Sequence, residues 1–147
     1  MATAWTRAQV VAAGGYQKES KMSKDVVIRS QIMNFDSIAS LASGSLAHSD
    51  TFQCLDVKAG ETILMAGINV LTAASGAAVA DLGFTGGTVD HFIDGLVMND
   101  TSLPSNTTCL DAPMYIASAD TIDLLESGAS ASLAGCKAIV WALIARI

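Results

Sequence analysis

A chain of 147 residues, 51% of them apolar, fits a single domain with one core. Charged residues make up 15% and sum to −6, so most of the chain repels nucleic acid and no nucleic-acid partner is expected. Lys137 and Arg146 bracket the apolar stretch 138–145, which leaves no run near the roughly 18 residues that a membrane-spanning helix needs.

The charge is unevenly spread. Residues 1–29 carry five basic groups, Arg7, Lys18, Lys21, Lys24 and Arg29, against Glu19 and Asp25, a net of +3, while the remainder has a net of −9. No basic segment followed by a long apolar block opens the chain, so a cleaved secretion signal is not expected. TAWTRAQVVAA (3–13) suits a short helix or a strand, and periodicity does not arbitrate. GGYQKESKMSK (14–24) is polar and short of β-branched residues, the composition of an exposed linker. Residues 1–29 are therefore expected to form an extended basic arm and linker ahead of a body spanning 30–147. The bland reading is a solvated segment with spare lysines. The functional one is an arm docking on an acidic partner surface, with Trp5, Arg7, Lys18, Lys21, Lys24 and Arg29 as its candidates.

DVVIRSQIM (25–33) has the β-branched density of a strand, and the Ser-rich segment 37–49 suits a loop or a short helical turn. TFQCLDV and TILMAGINVL, separated by KAGE with Gly60 at the turn, form a hairpin pattern. Gly67 within the second run predicts a bulge or a close backbone approach. AAVADLGF, the TGG turn at 85–87, DHFIDGLVM, a loop holding both prolines, PMYIAS, TIDLLES and CKAIVWALIARI follow at similar spacing. Short strands punctuated by Gly, Asn, Ser and Pro predict an all-β fold, an antiparallel β-sandwich or jelly roll. In the last segment Ala138, Val140, Ala142 and Ile144 fall on one strand face and Ile139, Trp141, Leu143 and Ala145 on the other. A strand apolar on both faces is central or packed on another subunit. A helix over 133–145 is the alternative.

Residues able to carry chemistry are sparse. His48 and His91 lie in no metal-ligand spacing, and Cys54, Cys109 and Cys136 are too widely spaced for a disulfide framework or zinc knuckles. Reduced, partly buried thiols are expected. His91 in VDHFIDG has Asp90 and Asp94 nearby, but on a strand it points away from both. Asp81, Asp90, Asp94, Asp120 and Asp123 sit beside glycines or at strand ends, where Asp caps turns, and no calcium-loop, phosphate-loop or G-x-S-x-G pattern is present. Asn99 and Asn106 fall in N-x-[ST] matches that count only as loop markers. No enzyme activity, metal or cofactor is expected.

LDVKAGETILMAGINVLTAASGAAVADLGFTGGTVDHFIDG (55–95) and YIASADTIDLLES (115–127) resemble small virion structural proteins of tailed bacteriophages, through an apolar "vkAGt" turn, "aDLGftgg", "dhfidG" and "aaDtidl". The resemblance covers most of the body and not the first 29 residues. It implies a head decoration (cement) protein, with cyanobacterial phages as hosts of similar sequences, located on the outer capsid surface after assembly in the host cytoplasm. The implied partner is the major capsid protein. The accompanying expectation is a homo-oligomer, a trimer before a dimer, associating through Val140, Trp141, Leu143 and Ile144. The alternative is a tail- or fibre-associated module that binds a host receptor or glycan. The family supplies no catalytic residues, and a cupin-like enzyme would need clustered histidines that this chain lacks.

Overall fold

Alternate burial along successive strands, the signature of sheets with one face on a core, folds the chain into two facing layers. The computed structural model describes residues 2–101, 113–128 and 131–146. The elements are β1 (Ala4–Trp5), α1 (Arg7–Gly14), β2 (Lys18–Lys21), β3 (Val26–Asn34), α2 (Phe35–Leu41), β4 (Thr51–Val57), β5 (Thr62–Thr72), β6 (Val79–Gly83), β7 (Ile93–Val97), β8 (Met114–Tyr115), β9 (Asp120–Glu126) and β10 (Lys137–Ala145). One sheet has the order β1-β4-β9-β6-β7 and the other β2-β3-β10-β5-β8. All pairings are antiparallel except the short β1–β4 contact. From β3 onward the chain passes between the sheets at every connection except the β6–β7 hairpin, which builds a two-sheet β-sandwich.

The core lies between the sheets and is filled largely by aliphatic residues, among them Ile63, Ile68, Leu82, Ile93, Leu124, Val140 and Ile144, all fully buried. Phe52 on β4 packs edge-on to Phe35 with ring centroids 4.8 Å apart. The segment 137–145 is a strand and not a helix, because it pairs along its whole length with β3 on one side and β5 on the other. Gly67 is not the site of a bulge: it pairs in register with Trp141, and the register shifts of β5 fall nearer its two ends. The segment after β3 becomes α2, whose N-cap Asn34 accepts from the Ser37 backbone N–H at 3.3 Å.

Residues 2–29 do not form an arm. Trp5, expected to face a partner, is 2% exposed. Its ring stacks on Phe52 at 6.0 Å, and its Nε1–H donates to Asp50 Oδ2 at 3.1 Å. Thr6 and Gln9 cap α1 in a reciprocal capping box, and α1 packs on β3 of one sheet and β4 of the other. The supposed linker contributes β2, which pairs with β3 from Lys18 to Lys21. The expected boundary at 29/30 falls inside β3. The physical reason is area and polarity together: a large indole gains more from an apolar seat than from water, provided its N–H finds an acceptor.

Trp5→Ala is therefore expected to cost about 3–5 kcal/mol, the range for emptying a large buried aromatic. Urea denaturation checks it, since a free arm would leave the midpoint unchanged.

Candidate assembly surfaces

Among the described residues, His91, Cys54 and Cys136 are packed into the fold, while His48 is exposed beside Ser49. His91 lies in the turn before β7, not on a strand, and its ring packs edge-on against Phe92 at 4.8 Å and Phe84 at 6.0 Å. The Cys54 thiol is fully buried and donates to the Phe52 carbonyl at 3.3 Å, and burial pushes it well above the ordinary thiol range. Burial pushes Cys136 up to about 12, so both thiols stay protonated and unreactive. Cys109 and Asn106 lie outside the described residues.

Buried carboxylates pin loops to the sheets. Asp50 accepts from the backbone N–H groups of Thr3 (2.7 Å) and Ala47 (2.9 Å) besides Trp5. Glu126 accepts from those of Ser49 (2.7 Å) and Gly128 (2.8 Å). Asp81 holds the Gly95 N–H and the Ser127 hydroxyl, and Asp123 holds the Thr85 N–H and the Thr121 hydroxyl. Asp81 and Asp123 therefore do not cap turns of their own: they stand within β6 and β9 and hold loops distant in sequence. Among the described residues no three His, Cys, Asp or Glu side chains stand where they could share a metal ion.

Arg29 is the centre of a network that the sequence did not disclose. Its side chain is 1% exposed and grips Glu61 with two bonds, of 2.8 and 2.9 Å. It also donates to Glu19 Oε2 at 2.8 Å and to the Asp56 carbonyl at 2.8 Å. Arg146 closes the ring on Glu19 at 2.8 Å and on Glu61 at 3.3 Å. Burial alone would raise the Glu61 carboxyl, but hydrogen bonds from Arg29 and the Lys58 N–H outweigh it and hold the group at about 2. Arg7 is spent as well, on Asp56 Oδ2 at 3.2 Å and on the side-chain oxygens of Gln17 and Gln31.

The expected partner-binding set therefore divides. Trp5 and Arg29 serve the interior and Arg7 is tied to Asp56 at its margin, whereas Lys18, Lys21 and Lys24 are exposed on the β2–β3 hairpin. The expected self-association set divides too. Val140 and Ile144 are fully buried between the sheets and unavailable to a partner, while Trp141 and Leu143 point outward and are half-buried. Sequence reasoning missed their neighbours on that outer face, Ile28 and Ile32, which are 37% and 40% exposed. The period-two pattern of VVIRSQIMN contained them, but Arg29 and Gln31 stand on the inner parity, which obscured which face was which. A separate cleft of about 430 Å³ opens between the β6–β7 loop and β8, with Phe84, Thr85, His91, Tyr115 and Asp120 in its wall.

No family model matches the chain, and no curated protein matches it. Among solved structures it is similar to a chain of the acidic stable capsid structure of Helicobacter pylori bacteriophage KHP30, with a TM-score of 0.59 and 12% identity over 88% of this chain and 93% of that one. At that identity the likeness is one of fold.

The network makes stability depend on pH in a fixed sense. Glu61 titrates at about 2 in the folded state against 4.5 ordinarily, so its contribution is complete above pH about 4.5 and is lost as pH falls toward 2. Burial raises Asp123 and acts in the opposite sense, so the wild-type profile mixes the two. Glu61→Gln isolates the first: it is expected to destabilise the protein at pH 7 by about 3 kcal/mol, because the buried Arg29 loses its bidentate carboxylate and keeps only Glu19 as a charged partner. The gap from wild type should close between pH 4.5 and 2 in urea titrations.

Proposed function

We propose that this chain is a virion structural protein of a tailed bacteriophage, and that on the head it acts as a decoration (cement) protein binding and stabilising the shell of major capsid protein. The observation that carries the reading is the match in fold, nearly end to end in both chains, to a chain of a phage capsid. The internal use of the buried thiols, carboxylates and arginines supports the same reading, since the surface is left with adhesive features. Cement contacts are repeated by the symmetry of a shell, so modest single contacts add up through effective concentration.

A rival reading draws on the cleft beside β8. Exposed Tyr115 with Thr85 and Asp120 offers an aromatic plane beside hydroxyl and carboxylate groups, the kind of wall a sugar ring can use, as a tail or fibre module would need. Gold-labelled antibody against the chain separates the two. Label over heads, together with shells that open at lower temperature when assembled without the chain, is expected. Label on tails or fibres, or none on particles, would refute the head assignment.

A further inference from the structure

We infer that the outer face of the β2-β3-β10-β5-β8 sheet is the docking face, and that it takes a protein surface apolar at its centre and bearing carboxylates at its edge. The inference rests on the decoration reading, with the shell as that surface.

Register fixes which side chains look outward. Val27, Met33, Ala138, Val140, Ala142 and Ile144 fill the core, so Ile28, Ser30 and Ile32 on β3 and Ile139, Trp141 and Leu143 on β10 face away from it. On β5 the residues opposite these are Met65, Gly67 and Asn69. Trp141 stands between Ser30 and Gly67, the two smallest outward neighbours available to it, so its indole is not walled in by bulky cross-strand partners. None of these outward residues is charged.

The other sheet differs. Its outward parity includes Asp81 and Asp123, which are 8% and 4% exposed because loops donate hydrogen bonds to them. Loops thus cover the middle of that face, with Asp56 and Val97 exposed toward its margins, whereas the centre of the β3-β10-β5 face is apolar and, among the described residues, carries no such loop contacts. The five strands hold 4, 9, 9, 11 and 2 residues, which at about 4.8 Å spacing and about 3.3 Å per residue give a face of roughly 550 Å² in plan, smaller than the ~800 Å² that each partner contributes to a standard stable interface and within reach of a contact repeated by symmetry.

Charge decides the occupant. All three arginines make internal ion pairs, and none of the five lysines makes one among the described residues. Lys18 lies on the outward parity of β2 opposite Ser30, and Lys24 is exposed at the turn of the same hairpin beside Asp25, while Lys21 pairs with the buried Val27 and so stands on the other parity. Lys137 starts β10 on the outward parity at the far end. The apolar centre therefore has a basic rim on a protein of net charge −6. A second copy applied face to face would set one lysine rim against another, whereas an acid-edged apolar surface meets both features.

The test uses the full chain and shells assembled without it, in cosedimentation across a salt series. Ile28→Asp/Ile32→Asp is expected to lose at least about tenfold in affinity, and Lys18→Glu/Lys21→Glu/Lys24→Glu to lose roughly tenfold at low salt with its salt dependence reversed. Leu41→Ser and Val97→Ser, exposed apolar changes elsewhere, should bind as wild type. Hydrogen exchange of the wild-type chain on shells, which needs no variant to fold, should show new protection at 28–32 and 139–143. Wild-type binding that Ile28→Asp/Ile32→Asp leaves intact, or protection confined to the other sheet, overturns the face alone. A wild-type oligomer that this variant converts to monomer assigns the face to a second copy and overturns the proposed partner. Shells that fail to take up wild-type chain at all overturn the decoration reading, and the inference with it.

Discussion

The insertion of the last strand between the first long one and the third governs the rest of the structure. β10 bonds β3 along one side and β5 along the other, from Lys137 to Ala145, so the second sheet cannot close until the two ends of the chain meet. Such pairing carries the entropy of a loop of more than a hundred residues before any contact returns it. Once made, it leaves β10 with no edge and fixes its parity. A slip of one residue would send Trp141 into the core and Val140 out of it. Burying Ala138, Val140, Ala142 and Ile144 therefore dictates that Ile139, Trp141 and Leu143 look outward. It does not dictate that they be apolar, since Ser, Thr or Lys at those positions would leave the core unchanged. Their apolarity is the feature on which the proposed docking face rests.

The buried charges act on the same register from another direction. Arg29 and Gln31 sit on the inner parity of β3, where an uncompensated charge would be costly. Glu61, at the β4–β5 turn, and Glu19, on β2, meet Arg29, and Arg146 adds the chain's far end. A network of this kind adds little net stability over an apolar replacement, but breaking one member is expensive. Here the expense falls on any arrangement in which β2, β3, the β4–β5 turn and the residue after β10 are not all in place. A shift of β3 by one residue would turn Arg29 outward and strand Glu61. The network and the apolar parity of β10 thus select one register independently.

Most of the sandwich was legible in local pattern. Runs such as TFQCLDV and TIDLLES, bounded by turn residues, became β4 and β9 almost to the residue, because period-two burial and turn chemistry are local signals. The first 29 residues were misread because the deciding partners are remote. Trp5 is held by Asp50 and Phe52, and Arg29 by Glu61, and nothing near either residue announces the match. The capping box of Thr6 and Gln9 was a local sign of α1 that composition overshadowed. For the candidate surface, Trp141 and Leu143 were identifiable and Val140 and Ile144 were not separable from them, since a strand apolar on both faces does not reveal which face is inside. Only the pairing with β3 and β5 resolves that.

The division of the basic residues follows from their chemistry. A guanidinium is planar and weakly hydrated, and it meets a carboxylate with two parallel bonds, so arginine suits interior junctions. An ammonium is compact and strongly hydrated, and lysine stays in water on a flexible stem. The basic excess of residues 1–29 therefore does not describe a tethered arm. Arg29 is locked inside, Arg7 is held in a partly exposed pair with Asp56, and three stand on one hairpin at the margin of an apolar sheet face. The same count of charges in an arm would attract any acidic surface within reach. Fixed at the rim of a rigid sheet, they reward only a partner whose carboxylates lie at the matching distance from an apolar centre, which turns a general electrostatic attraction into a geometric one.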